Sequence, residues 1–63
     1  MRYINYALSN GSYREIHFGV DNENELPLVE KRKAYLENQG YTLFKQDIGC
    51  INGTLIYRKL FNK

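Results

Sequence analysis

The chain predicts an α+β fold of order β-β-α-β-β, a four-stranded, mainly antiparallel sheet with one helix packed on one face. Three observations carry the prediction. Apolar residues recur at strand period in two early stretches, and two apolar, aromatic-rich stretches follow late in the chain. The segment between them has a proline near its start and a glycine at its end, the asymmetry of a helix. An Asn-Gly dipeptide, the strongest short hairpin signal, lies between the members of each strand pair.

The first strand covers about 2–9, with Ile4, Tyr6 and Leu8 on one face, and the second about 13–20, with Ile16, Phe18 and Val20 on one face. A two-residue Asn10-Gly11 turn would set Ile4 beside His17 and mix the faces. A three-residue loop, Ser9-Asn10-Gly11 with Gly11 left-handed, sets Ile4 beside Ile16 and is the preferred register.

The polar run Asp21–Glu25 leads into a helix over about 25–39. Asn24 is the expected cap, Pro27 lies in the first turn, and the acidic residues face the positive end of the helix dipole. Gly40 closes the helix as its left-handed residue. On a helical wheel Leu28, Val29, Tyr35 and Leu36 share the apolar arc. Arg32 projects near its middle, and its stem is expected along the core edge with the guanidinium in water.

The last two strands cover about 41–48 and 54–61. A tight Asn52-Gly53 turn would pair Phe44 with Phe61, Ile48 with Tyr57 and Cys50 with Leu55 on one side, and Asp47 with Arg58 on the other. That other side would also hold Leu43, Ile56 and Leu60, which a helix on the first side cannot cover. The second hairpin is therefore expected to be apolar on both faces.

Sixty-three residues predict a single domain, 1–63, whose small core gains from any stabilising partner. With Cys50 as the sole cysteine and neither a signal-peptide stretch nor a membrane span, the expected location is the cytoplasm, inside a host cell if the chain is phage-encoded. The glycosylation patterns Asn10-Gly11-Ser12 and Asn52-Gly53-Thr54 are read as turns. The net charge of +2 hides a polarity, with residues 1–30 at −3 and residues 31–63 at +5.

Chemistry finds little to work with. His17 and Cys50 are single residues of their type, so no zinc-like ligand spacing exists, and a Cys50–His17 nucleophilic pair is less expected than two packing positions. Asp21–Glu25 lacks the glycine and distal glutamate of a calcium loop, and no glycine-rich phosphate loop occurs. The expectation is a protein without enzymatic activity, metal or cofactor.

Two binding readings follow. Six tyrosines and three phenylalanines accompany Lys31, Arg32, Lys33, Lys45, Arg58, Lys59 and Lys63, the ingredients of a nucleic-acid surface, against which stand the acidic first half and a pI near 8.8. The preferred reading is protein binding through the face around Leu43, Ile56 and Leu60, with Lys31, Arg32, Lys33, Arg58 and Lys59 as charged contacts. The same surface could make a homodimer.

Leu36–Leu43 followed by Asn52–Lys59 resembles a helix-Gly-aromatic-strand-hairpin pattern of small bacterial domains of unknown function, over less than half the chain. In length and in its Asn-, Lys-, Tyr- and Ile-rich composition the whole chain is similar to short proteins of phages and mobile elements, the anti-CRISPR proteins prominent among them. That resemblance implies a stoichiometric inhibitor that occludes a CRISPR effector nuclease or its guide-bound complex. Glu15, Asp21, Glu23 and Glu25 would fill a basic channel, or Lys31–Lys33 would touch guide phosphates.

Overall fold

In a computed structural model, which describes residues 1–61, the elements run β1 (Arg2–Leu8), β2 (Gly11–Gly19), α1 (Leu26–Asn38), β3 (Thr42–Ile48) and β4 (Asn52–Leu60). The four strands form one open antiparallel sheet in the order β1-β2-β4-β3, so the two hairpins join through their second strands. The α+β class and the β-β-α-β-β order are those the sequence predicts. Lys63, one of the cations in the nucleic-acid reading, lies outside the described residues.

The central pair decides where the core sits. β2 and β4 run antiparallel from Gly11–Leu60 to Gly19–Asn52, and two flanking bonds lengthen the ladder at both ends, Phe61 N–H to Asn10 O (2.7 Å) and Val20 N–H to Ile51 O (2.8 Å). Ile16 stands opposite Leu55 and Arg14 opposite Tyr57. Side chains of paired residues share a face, and Ile16, Leu55 and Tyr57 join Val29 and Leu36 of α1 and Tyr41 in one buried cluster, with Phe18 against it.

Both hairpin registers differ from the expected ones. In the first, Leu8 pairs with Gly11 around a two-residue Ser9-Asn10 turn, and Ile4 meets Glu15 rather than Ile16. Gly11 is not left-handed, since Gly40 alone among the described residues has a positive φ. A Cβ on Gly11 would run into the Lys59 carbonyl oxygen, so the glycine serves the close approach of β2 and β4 rather than a turn. In the second hairpin the turn is Cys50-Ile51, closed by Gly49 N–H to Asn52 O (2.8 Å). Asn52 and Gly53 lie within β4, where a Cβ on Gly53 would come within 2.6 Å of Phe18 Cζ.

These shifts replace the expected pairs. Ile48 faces Gly53 rather than Tyr57, and Asp47 faces Thr54 rather than Arg58. Leu43 pairs with Tyr57 and so stands on the helix side, not beside Ile56 and Leu60. A β-bulge between Leu43 and Lys45 takes Phe44 out of the ladder. Phe61 lies beyond the end of β4, and Cys50 is exposed in its turn, so neither makes its expected cross-strand pair.

The helix begins after Glu25, which gives no side-chain cap, and the Asn22 carbonyl takes the Leu26 N–H instead of Asn24 capping the turn. Pro27 opens it as expected, but the first turn holds no acid and the last no base, so the dipole has no side-chain complement. Its end is a Schellman motif: Gly40 at φ 92°, Tyr41 N–H to Leu36 O at 2.9 Å and Gly40 N–H to Glu37 O at 3.1 Å. Of the expected apolar arc only Val29 and Leu36 are buried, whereas Leu28 and Tyr35 are about half exposed (48% and 52%). Arg32 does not simply reach water. Its guanidinium lies 4.6 Å from the Tyr3 ring and 5.1 Å from the Tyr35 ring, and its Nε is buried without a hydrogen-bond partner.

The Tyr57 side chain is fully buried, and its hydroxyl donates to Glu37 Oε2 at 3.3 Å. Burial and the Glu37 charge push its pKa up to about 12 from 10.0. The unfolded chain therefore loses this proton first, so the stability it confers is full below pH 10 and disappears as pH rises toward 12. Tyrosinate absorbance with circular dichroism should show one tyrosine titrating late, together with alkaline loss of structure, and Tyr57→Phe should remove the late step. Gly11→Ala should destabilise by about 1–3 kcal/mol in chemical denaturation, since backbone rather than a flexible side chain must give way.

Candidate binding face

The helix covers one side of the sheet and leaves the other bare. Partners across the ladders place four rows of side chains on the bare side. Arg2, His17, Thr54 and Asp47 form the first, and Ile4, Glu15, Ile56 and Lys45 the second. Tyr6, Tyr13, Arg58 and Thr42 make the third, and Leu8, Gly11 and Leu60 the last. The first-hairpin register puts Ile4, Tyr6 and Leu8 here, away from Ile16, because a strand shifted by one residue turns its other face to its neighbour. Tyr6, Leu8 and Leu60 are exposed, while Ile4, Tyr13, Ile56 and Arg58 are half-buried among their neighbours.

The bulge adds the ring that sequence reasoning placed elsewhere. Phe44 was expected on the covered side, but its ring sits 5.8 Å from Tyr13 and the Arg58 guanidinium lies 4.1 Å above it. Tyr13, Phe44 and Arg58 thus form a cluster on the bare face, the two rings tilted at 41° and the guanidinium over one of them. No period-two pattern signals this, because a bulge breaks the period.

Hydrogen bonds organise the first row. His17 Nε2 is 2.8 Å from Glu15 Oε1, and His17 Nδ1 is 3.4 Å from Thr54 Oγ1. A carboxylate, an imidazole and a hydroxyl in line follow the order of a proton relay, but they lie on an open sheet with no wall to exclude water, and the hydroxyl contact is long. Cys50 is not among the hydrogen-bond partners of His17. Glu15 and His17, two apart on a strand, share a face by spacing alone, and that was the available signal for this pair.

The remaining sequence-predicted contacts divide between the two sides. Ile56, Leu60 and Arg58 lie together on the bare face as expected. Lys31, Arg32 and Lys33 are on α1 across the sheet, with Lys33 in an i,i+3 pair with Glu30 at 3.6 Å. Lys59 also faces the helix side, where its Nζ donates to the Gln39 carbonyl at 2.8 Å and lies 5.8 Å from the Tyr41 ring. Leu43 is exposed on the helix side at the β3 edge. The eight positions therefore do not form one surface.

A shallow depression at the sheet end, lined by Met1, His17, Gly19, Glu25, Ile51 and Gly53 among others, holds little free chemistry. Glu25 Oε1 accepts the Gly19 N–H at 2.9 Å and Oε2 accepts the Met1 amino group at 2.7 Å. The Gly19 N–H first, and the Met1 ammonium second, hold its carboxyl below the usual glutamate range. The Asn22 side chain accepts the Asn24 N–H, so Asp21–Glu25 is a structured turn into the helix. Among the described residues no three His, Cys, Asp or Glu side chains converge on a metal-sized site, and no helix is long and apolar enough to cross a membrane.

Arg58→Ala should cost about 0.5–1 kcal/mol in denaturation, the worth of an exposed cation–π contact, with the circular dichroism spectrum of the fold retained. No protein-family model, curated protein or solved structure matches the chain.

Proposed function

We propose that the chain is a non-catalytic protein-binding module, a small inhibitor that acts by stoichiometric contact through its bare sheet face. The make-up of that face carries the reading: an aromatic and arginine centre of Tyr6, Tyr13, Phe44 and Arg58, extended by Ile4, Ile56, Leu8 and Leu60 and bordered by charge on one side. Tyrosine and arginine dominate the energetics of protein interfaces, where an apolar centre is ringed by polar groups. Strands hold these side chains, so little ordering accompanies contact.

The resemblance to short phage proteins supports a nuclease that handles nucleic acid as the partner, a CRISPR effector or its guide-bound complex. Occlusion needs only a firm docking face, which suits the described residues, where His17 lines only an open depression. Glu15 and Asp47 lie on the bare face, which supports them, rather than Asp21, Glu23 and Glu25 at the loop, as the acids that meet a basic channel.

Direct nucleic-acid binding is the second reading, favoured by three aromatic rings on an open sheet. It ranks lower because Arg2, Lys45 and Arg58 face Glu15 and Asp47 on the same surface, which leaves a weak field for phosphate.

Pull-down from lysate with and without nuclease treatment separates the two. A defined nuclease should be retained after nucleic acid is destroyed, and Ile56→Asp should abolish its capture while leaving circular dichroism unchanged. Capture that disappears with nuclease digestion or at high salt would turn the assignment to nucleic acid.

A further inference from the structure

We propose that in the absence of another partner the bare sheet face closes on a second copy of the chain, as a two-fold symmetric dimer packed sheet to sheet. This rests on the reading of that face as a binding surface and names an occupant for it.

A two-fold interface requires a surface that matches itself, residue i meeting residue j and j meeting i. For two sheets face to face the axis lies in the interface plane. When it runs parallel to the strands between β2 and β4, it exchanges β2 with β4 and β1 with β3. The rows then meet in complementary pairs. Arg2 faces Asp47 of the second copy, Tyr6 faces Thr42, and Tyr13 faces Arg58, each contact occurring twice. Lys45 comes over Ile4, with its ammonium group within reach of Glu15. An axis perpendicular to the strands instead lays each strand on its own copy and puts Arg2 over Leu8 and Thr54 over Leu60, so charge chooses the first axis.

The charges are available for this role. Neither Arg2 nor Asp47 takes part in an ion pair among the described residues. Aligned sheets pack about 10 Å apart at roughly 30°, an offset that an arginine side chain spans. Four strands about 4.8 Å apart and seven to nine residues long present a flat footprint of roughly 500 Å² per copy, or about 1,000 Å² in total before side-chain relief. That reaches the lower bound of a specific interface. A domain with six buried hydrophobic side chains among the described residues gains stability from such a cover. Pairing through the β3 edge is less suited, because its bulge and Lys45 are the devices that blunt an edge.

Sedimentation equilibrium of the purified chain over a wide concentration range should give a monomer–dimer equilibrium. Arg2→Asp and Asp47→Arg should each weaken it about tenfold or more, since each places like charges together twice. Mixing these two variants in equal amounts should restore dimer at wild-type strength, because both contacts of the mixed dimer again join opposite charges. A chain that stays monomeric, charge reversals without effect, or a mixture that fails to recover would each overturn the proposal. A monomer whose nuclease capture still depends on Ile56 defeats the dimer and leaves the proposed function standing. A dimer whose capture is indifferent to Ile56→Asp defeats the proposed function instead.

Discussion

The pairing of β2 with β4 is the contact on which the rest of the molecule depends. These strands belong to different hairpins, and among the described residues their ladder joins the two halves of the sheet. It brings Ile16 beside Leu55 and sets Tyr57 next to them, which makes the platform that Val29 and Leu36 cover. Long-range pairing of this kind must offset a large loop-closure entropy, which short range hairpins do not. The molecule meets that demand with a long ladder, extended by backbone bonds from Phe61 and Val20, and with glycines that let the strands come close.

From that platform the asymmetry of the sheet follows. One helix, Leu26–Asn38, offers two buried apolar side chains and lies on one side only. A sheet of four strands has more area than it can cover, so Leu43 and Ile48 stay exposed even on the helix side, and among the described residues no element covers the opposite face. Arg32 compensates in part, sealing the edge of the helix with a cation held between the Tyr3 and Tyr35 rings. The uncovered side collects apolar and aromatic groups that a solvated sheet face ordinarily lacks, and this imbalance supports a binding role.

The charge polarity along the chain dissolves in the fold for the same reason. Interleaving the hairpins puts Glu15 of the acidic half between residues that stand beside Arg58 and Lys45 of the basic half. The acids that remain together, Asp21 to Glu25, lie in the loop before the helix, where Glu25 is taken up by the Gly19 backbone. The helix lysines lie across the sheet from the bare face. Among the described residues the bare face therefore mixes both signs of charge.

By itself the sequence determined the element order, the helix with its Pro27 entry and Gly40 exit, and the placement of Ile56 and Leu60 on a face the helix does not reach, because local periodicity and backbone preference act within a few residues. Only the tertiary structure decided the registers. Asn10-Gly11 and Asn52-Gly53 read as turns, yet each glycine is held in a strand by the close approach of β2 to β4, which moves both turns two residues or less along the chain. A slip of one residue turns a strand over, so the register of the first hairpin carried Ile4, Tyr6 and Leu8 to the open side, while the bulge in β3 turned Leu43 to the helix side and Phe44 to the open one.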